Sequence, residues 1–457
     1  MKSELAEDLD LKINNSSSNS KEAKGNQDEY NPKNRPKRQD LPEELVKDEV
    51  RLEAASTCPD CGGENFSKIG ENVVKKLIYI PASYVVKKYV RPRCICKNCR
   101  KIVQAEMPST TIDKGKAEAS FLAHILTQKY CNHLPFHRQN QMFKREGLTI
   151  ATSTMSSWAS KCAYILEILA ERIQNYIFSQ IEIHGDDTTI KVLEPGSGKT
   201  KTARIWSYVY DARAYGSNDP VAACYFYSEN RKKEHPIKHL EGFRGTLQAD
   251  AYSGYNELFK PNEKGIVNID EAGCWAHVRR KFVEATSVIK VANIANEVLE
   301  QVKLLYAIEK KINGSSPKQR LKIRQAEAKK LLEQLFDYMK IAYEKLFKNS
   351  ATAKAIKYAL NNEDALKRYL NNGRLEIDNN IAERSMRAIA VGRKNWLFAG
   401  SDLGGKSSAI IFTLIETAKL NNVNPWQYLH KVLAIIQDYT ASKIDDLLPW
   451  NLTLDSS

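Results

Sequence analysis

The pattern of apolar and polar positions divides the chain into segments of different character. Residues 1–45 have almost no apolar periodicity and are rich in Asn, Ser, Lys, Glu and Asp. Such a composition buries too little apolar surface to order itself, so it predicts a disordered polar leader. Residues 56–105 contain two short apolar runs, at 73–80 and 84–90, on either side of Pro81. These runs predict a hairpin in a small β-rich module.

Residues 113–180 have the spacing of helices. One helix is predicted from Pro135 to Lys144 and a second from Ser153, with a turn at Gly147 between them. This is the arrangement of the helix-turn-helix motif, in which the second helix enters a DNA groove. The side chains free to face such a groove are Ser156, Ser157 and Lys161. Two ordinary packed helices have the same pattern, and the sequence leaves both interpretations open.

From residue 181 the pattern is that of strands. Four strands are predicted, at 181–183 running into Asp186, at 205–210, at 222–227, and at 246–249 running into Asp250. A helical pattern at 237–243 separates the third strand from the fourth. This order predicts a mixed sheet with helices on its faces, an α/β core whose first part covers residues 181–289.

The α/β core is interrupted and then resumed. Residues 290–371 have a helical pattern, many charged residues and repeated leucines. Because the segment separates two parts of the α/β core, it predicts an inserted helical subdomain. Residues 372–420 form the second part of the core. Two helices are predicted in that part, at 376–391 and 405–420. Residues 421–457 form a C-terminal helical segment whose last helix begins at Asn424-Pro425.

The positive net charge of the chain indicates what kind of molecule it binds. Lys and Arg outnumber Asp and Glu by 69 to 55, and the sequence pI is near 9.1. Such a surplus favours polyanions, of which nucleic acid is the commonest. An anionic membrane surface is the alternative, but no basic amphipathic helix supports it. With no secretory signal and no apolar run of ~18 residues, we expect a cytoplasmic protein without membrane contact.

Four of the nine cysteines form two Cys-x-x-Cys pairs, Cys58 with Cys61 and Cys96 with Cys99. A hairpin across the 34 residues between the pairs would bring them together, and four thiolates suit tetrahedral Zn²⁺. The sequence therefore predicts a structural zinc site. No βαβ pattern surrounds either pair, which argues against a redox dithiol. Cys94 competes with Cys96 as a ligand, although Cys96 has the two-residue spacing.

Three acids are candidates for a metal site. Asp186 and Asp250 are predicted at strand ends, and Glu383 lies where a helix begins, with Asp378 as its predicted cap and Arg387 on its face. Three carboxylates from different elements are the smallest protein site that holds the two Mg²⁺ ions of phosphoryl transfer. Spacing alone is not specific, because any one of 55 acids is most simply solvated or salt-bridged.

Basic residues lie near these acids in the sequence. Arg279 and Arg280 follow Cys274-x-x-His277 on a predicted helix. The Cys-x-x-His pair is half a metal site, and packing or support of the active site is the favoured interpretation. His277 is either close to a reacting phosphate or a satisfied core histidine. A second group of cations follows Glu383 and is predicted to position phosphate, the alternative being a solvated helix face; it consists of Arg384, Arg387, Arg393 and Lys394.

Several longer motifs, in a fixed order, carry a resemblance to a known family. They lie at residues 58–63, 129–139, 184–188, 247–255, 273–282, 378–384 and 392–396. From about residue 56 to 450 the chain resembles the transposases of the insertion-sequence-sixty-six family.

The resemblance implies a ribonuclease-H-like catalytic domain with a triad of Asp186, Asp250 and Glu383. It implies two Mg²⁺ or Mn²⁺ ions, cleavage of double-stranded DNA at the ends of a mobile element, and attack of the freed 3′-hydroxyl on target DNA. It also implies a homo-oligomer on DNA, accessory transposition proteins, and a bacterial protein at the nucleoid. The zinc module would touch DNA through nearby cations, or these would form a solvated strand face; they are Lys87, Lys88, Arg91 and Arg93.

Two questions stay open at this point. The family has Asp-Glu-Thr where this chain has Asp186-Asp187-Thr188, and only one of two adjacent strand residues can face the site. The chain is an active transposase or a catalytically silent, transposase-derived DNA-binding regulator. A ribonuclease-H-like nuclease or resolvase would explain the zinc module and the insertion less well.

Overall fold

The computed structural model describes residues 51–52, 59–64, 67, 73–74, 76–77, 83–194, 196–288 and 293–454. The predicted leader at 1–45 and the predicted zinc ligand Cys58 lie outside the described residues. The chain forms two compact units, residues 1–105 and residues 106–457.

The first unit contains a short hairpin around the second cysteine pair. Strand β1 (Arg93–Ile95) pairs antiparallel with β2 (Ile102–Gln104), and the turn between them carries Cys96 and Cys99. The predicted second strand of the hairpin, at 84–90, is wrong, because residues 83–90 have no strand. Its valines are exposed, and a β-favouring sequence needs a packed partner to become a strand.

A five-stranded mixed sheet forms the centre of the second unit. Its strands are β3 (Glu182–Leu193), β4 (Thr200–Tyr210), β5 (Ala222–Ser228), β6 (Gly245–Gln248) and β7 (Ile269–Ala272). The order across the sheet is β5-β4-β3-β6-β7, with β3, β4 and β5 antiparallel and β6 and β7 parallel to β3. The four predicted strands are present, and β7 is an addition that the sequence did not predict.

Helices cover the sheet and protect its β5 edge. They include α1 (Ala119–Tyr130), α2 (Phe136–Arg145), α3 (Thr152–Phe178), α4 (Glu234–His239) and α13 (Asp402–Leu420). The buried hydroxyl of Thr413 accepts a hydrogen bond from the N–H of Tyr225, and the hydroxyl of Thr417 accepts one from Ala223. Both contacts occupy backbone groups that an edge strand would otherwise leave unpaired.

The predicted helix, turn and helix around Gly147 is present as α2 and α3, with Gly147 at a φ of +80°. The cap of α3 is Ala151 rather than the predicted Ser153. Ser156, Ser157 and Lys161 are exposed, as the helix-turn-helix interpretation requires. The buried side of α3 packs against β5 and α13, so this helix is also part of the layer that covers the sheet.

The predicted insertion is a helical subdomain with its own core. It contains α6 (Asn293–Ile312), α7 (Pro317–Ile323), α8 (Lys329–Lys345), α9 (Ala351–Asn361) and α10 (Glu363–Lys367), and it packs against α5 (Trp275–Val288). Its apolar cluster includes Trp275, Phe282, Leu335 and Phe336 and is separate from the cluster around the sheet.

The chain then returns to the sheet. The helix predicted at 376–391 is two helices, α11 (Asn380–Ser385) and α12 (Arg387–Trp396), because the chain bends at Met386. The last helix, α14 (Pro425–Ile435), begins as predicted, with the Asn424 side chain accepting hydrogen bonds from the backbone of Trp426 and Gln427. In the described part of the chain, no helix is both long and apolar enough to cross a membrane.

Candidate active site

Asp186 and Asp250 are brought together by the pairing of two parallel strands. In the register of β3 and β6, His184 lies opposite Gln248. Asp186 and Asp250 each follow two residues later, so they lie at the same end of this strand pair. The prediction that Asp186 ends its strand is wrong, because β3 continues to Leu193 with β4 as its antiparallel partner.

A tight turn fixes Asp250 where β6 ends. The next residue, Ala251, has a φ of +62°, a conformation that residues other than glycine rarely adopt. One carboxylate oxygen of Asp250 accepts a hydrogen bond from the N–H of Tyr252 at 3.1 Å. The hydroxyl of Tyr358, from the insertion, donates to the backbone carbonyl of Asp250 at 3.1 Å. The insertion therefore helps to hold this carboxylate.

Glu383 is positioned by the buried amide of Asn379. The Nδ2 of Asn379 donates to the carbonyl of Gly185 at 2.8 Å, and its Oδ1 lies 3.0 Å from the Nδ1 of His184. Its backbone N–H donates to the Sγ of Cys274 at 3.2 Å. These contacts tie the start of α11 to β3, so Glu383, one turn later, is fixed relative to the strand that carries Asp186.

The electrostatics of Asp186 indicate that the three acids share one site. Burial raises the pKa of Asp186 to about 8, with further contributions from the charges of Asp250, Asp187 and Glu383. Among the described residues, no lysine or arginine forms an ion pair with Asp186. A half-buried carboxyl beside other carboxylates, without a cation of its own, is unfavourable unless a proton or a metal ion neutralises it.

The donor set fits a hard divalent cation. Mg²⁺ and Mn²⁺ take oxygen ligands, and the three acids offer them from three different elements. One further observation supports the fit. The Oε1 of Glu383 is buried and has no hydrogen-bond partner among the described residues. A carboxylate oxygen in that position lacks a partner that a metal ion would supply.

Asp187 is neutralised by two arginines. Its side chain is 2% exposed and pairs with Arg204 at 3.0 Å and with Arg231 at 2.7 Å. The guanidinium of Arg231 also lies 4.0 Å from Asp250 and stacks on the ring of Tyr252. Of the two adjacent aspartates, Asp186 is therefore the one that has no cationic partner among the described residues.

The Cys-x-x-His pair lies beside Glu383. Atoms of Cys274, His277 and Glu383 that could bind a metal all lie within 4.8 Å of one another. The Nδ1 of His277 is 3.6 Å from Glu383 Oε1, and Arg280 donates to the other oxygen of Glu383 at 3.2 Å. In the sequence this pair lacked a partner, and the structure supplies one from α11, about a hundred residues further along the chain.

The predicted phosphate-binding cations divide into two groups. Five are exposed: Arg279, Arg280, Arg384, Arg387 and Lys394. Arg393 instead turns inward, and its guanidinium donates to the hydroxyls of Thr188 and Thr189 at 2.8 and 2.7 Å. The prediction that Glu383 and Arg387 share one helix face is wrong, because α11 ends at Ser385 and Arg387 begins α12; Glu383 pairs with Arg280 instead.

Sequence reasoning missed the residues that hold the acids in place. Arg204 and Arg231 balance Asp187, and His184 and Asn379 connect β3 to α11. His184 and Asn379 belong to two of the motifs that carry the family resemblance, which was an available signal. Arg231 lies in a loop outside those motifs, and nothing in the sequence marks it.

The described cysteines of the first unit are exposed or half-buried. Cys96 lies in the β1–β2 turn, where the backbone N–H groups of Cys99 and Asn98 lower the pKa of its thiol. A lowered thiol pKa favours the thiolate that Zn²⁺ binds. Cys61, Cys94 and Cys99 are exposed, and Cys58 is outside the described residues.

Comparisons with known proteins agree with these features. The model of the Transposase IS66 family matches residues 114–407, and the IS66 C-terminal element matches residues 413–450. The zinc-finger binding domain of transposase IS66 matches residues 55–100. These matches confirm the resemblance to the insertion-sequence-sixty-six family.

Similar proteins occur in Sinorhizobium fredii (strain NBRC 101917 / NGR234). The uncharacterized protein y4hP is 36% identical over 427 residues, which cover 91% of this chain and 77% of the relative. The uncharacterized protein y4jD is 35% identical over 422 residues, covering 91% and 82%. The chain therefore belongs to the IS66 family of transposases, with the family's zinc-finger domain ahead of its α/β core and the family's C-terminal element after it.

Proposed function

We propose that this chain is an active transposase that cuts DNA at the ends of a mobile element and joins those ends to target DNA. Asp186, Asp250 and Glu383 are the proposed ligands of two Mg²⁺ or Mn²⁺ ions. The observation that carries the proposal is geometric: the β3–β6 pairing puts Asp186 and Asp250 at the same end of this strand pair, and Asn379 ties the start of the helix that carries Glu383 to β3. Burial, with the charges of Asp250, Asp187 and Glu383, also raises the pKa of Asp186, a carboxyl that no cation neutralises among the described residues. Placing three carboxylates together in a partly buried site is electrostatically unfavourable, and we expect a protein that no longer cuts DNA to lose such an arrangement.

Each part of the proposed site has a task. Bound divalent ions supply charge neutralisation at the phosphate and activation of the attacking oxygen. The acids hold those ions, and their strand and helix positions keep the carboxylates rigid. The exposed guanidinium groups of Arg279, Arg384 and Arg387 would hold the phosphates that flank the reacting one, since arginine forks match phosphate oxygens.

The ribonuclease-H-like fold is part of the same proposal. What supports it is a mixed sheet in which one acid lies on the central strand β3 and another follows the parallel neighbour β6. Double-stranded DNA is the proposed substrate, as element end and as target. The zinc finger, with Cys58, Cys61, Cys96 and Cys99 as proposed ligands, is a second DNA contact, and assembly as a homo-oligomer on DNA with accessory proteins is proposed from the family alone.

Cleavage of labelled element ends tests the proposal. Wild-type protein with Mg²⁺ or Mn²⁺ should nick the ends, and Asp250→Asn should reduce nicking at least ~100-fold while DNA binding, measured by gel shift, changes less than about twofold. Asp270→Asn is the matched control, because Asp270 is an exposed acid on the neighbouring strand β7 and should keep full activity.

Other outcomes separate the alternatives. A wild-type protein that binds the ends without cutting them, with either metal, would be the silent regulator. An Asp250→Asn variant that nicks like the wild type would show that the proposed triad is wrong.

A further inference from the structure

We propose that His277 is a fourth metal ligand, which binds the ion held by Glu383 through its Nδ1 atom. This inference rests on the proposed function, since it adds a nitrogen ligand to the proposed carboxylate site. Its basis is the gap between two buried polar atoms that face each other without a hydrogen bond.

The two atoms are the Nδ1 of His277 and the Oε1 of Glu383. They are 3.6 Å apart, which is too long for a hydrogen bond. Both are buried, and neither has a hydrogen-bond partner among the described residues. Two adjacent buried atoms that both lack a partner are rare in folded proteins and indicate a missing group that satisfies both.

The separation suits one ion. Two ligands of Mg²⁺ or Mn²⁺ stand at most about 4.2 Å apart, twice a bond length of about 2.1 Å. A separation of 3.6 Å lies within this limit. Phosphate is a poorer candidate, because an anion against the Glu383 carboxylate would be repelled. The second oxygen of Glu383 is already occupied by Arg280 at 3.2 Å, which leaves Oε1 as the free donor.

His277 is also held in place. It lies in the first turn of α5, two residues after Trp275, which is anchored twice: its N–H donates to the carbonyl of Ile377, and its indole donates to the carbonyl of Leu366. A rigid helix start positions a ligand more accurately than a loop does. Its Nδ1 lies beside Glu383, so the imidazole is next to a member of the proposed triad.

Cys274 belongs to the same cluster but has a different task. Its Sγ accepts the backbone N–H of Asn379, and the side chain is buried. Mg²⁺ and Mn²⁺ prefer oxygen and tolerate nitrogen, whereas thiolates suit softer ions. Cys274 is therefore a positioning residue that fixes the start of α11, and the ligand proposed here is the histidine alone.

Pulsed electron paramagnetic resonance of bound Mn²⁺ tests the inference directly. The probe is MnCl₂ added to full-length protein whose zinc site has been filled with Zn²⁺, which is silent in this measurement. Wild-type protein should show the nitrogen modulation of a coordinated imidazole. His277→Ala should lose that modulation and raise the half-saturating Mn²⁺ concentration at least about tenfold.

His235→Ala is the matched control, because His235 is half-buried, hydrogen-bonded to Asn230 and placed in the first turn of α4. It should keep the nitrogen modulation. If the modulation survives in His277→Ala, or if Mn²⁺ binds the wild type without nitrogen modulation, His277 does not bind the ion and the inference is wrong. Neither result contradicts the proposed function, because that proposal is tested by whether Asp250→Asn stops cleavage.

Discussion

Two adjacent aspartates on β3 have opposite electrostatic surroundings. Asp187 is buried between the guanidinium groups of Arg204 and Arg231, whereas Asp186 faces Asp250 and Glu383. The alternation of side chains along a strand predicts that only one of the two can serve as a ligand, but it cannot say which. Arg204 and Arg231 determine which aspartate stays available as a ligand, because they pair with Asp187; Arg231 lies more than forty residues further along the chain.

The same contrast predicts opposite effects on stability in Mg²⁺-free buffer. Asp186→Asn should stabilise the protein at pH 9 by on the order of 1–3 kcal/mol, because it removes a buried charge beside like charges. Asp187→Asn should destabilise it, because the half-buried Arg204 and Arg231 lose their buried counter-charge. Thermal unfolding followed by circular dichroism measures both.

The pH dependence follows from the raised pKa of Asp186. Its carboxyl is protonated in the folded protein up to about pH 8, whereas in the unfolded chain it ionises near pH 4. The contribution of Asp186 to the stability of the wild type therefore falls as the pH rises from about 4 through about 8. The gain from Asp186→Asn should be large at pH 9 and close to zero near pH 4, and an equal gain at both values would contradict the electrostatic explanation.

At the scale of elements, four of the five strands in the described sheet were predictable, and the polar strand segments were not. β5 follows a continuous apolar sequence and lies where predicted, and β4 contains the strand predicted at 205–210 but begins at Thr200. β7 has four residues, Ile269-Asp270-Glu271-Ala272, with two acids at its centre, and only its parallel pairing with β6 makes it a strand. The length of β3 beyond Asp186 was missed for the same reason, since its polar half depends on β4 as a partner.

The return of the chain from the insertion depends on a buried ion pair. Arg324 is fully buried; it binds both oxygens of Glu309 at 2.8 and 2.6 Å and donates to the carbonyls of Asn372 and Leu375. These carbonyls precede Asn379, the residue that positions Glu383. No sequence pattern marked this arginine among the many charges of the insertion, because burial cannot be read from composition.

Arg324→Met should therefore destabilise the protein by about 3–5 kcal/mol, since it leaves the buried Glu309 with only the longer contact to Arg320, at 3.5 Å. It should also increase hydrogen exchange in the segment from residue 369 to residue 383. Lys322→Met is the control, because Lys322 is exposed on α7 and its loss should cost less than about 0.5 kcal/mol. Equal denaturation midpoints for the two variants would show that the ion pair does not hold this segment.

At the scale of the whole molecule, the sequence predicted the order of segments and the acids but not how they converge. The insertion was predicted from its helical, charged pattern between two halves of the α/β core, and it has its own apolar cluster. That Tyr358 of the insertion would hold Asp250, and that His277 would face Glu383, follows only from long-range packing. Hydrophobic periodicity reports local structure only, so a single sequence does not predict contacts between residues a hundred positions apart.

The division into two compact units leads to a prediction about zinc. Because Cys96 and Cys99 are proposed ligands in the first unit, Cys99→Ser should release one zinc ion per chain, measured by atomic absorption. Cys94→Ser should keep the ion, because Cys94 lies on strand β1 outside the two-residue spacing. The main thermal transition should stay within about 2 °C in both variants, since the apolar clusters around the sheet and in the insertion lie wholly within residues 106–457. If Cys94→Ser loses its zinc, Cys94 is a zinc ligand and the proposed set of four cysteines is wrong. A large fall in the main transition in Cys99→Ser would show that the zinc finger stabilises the core itself.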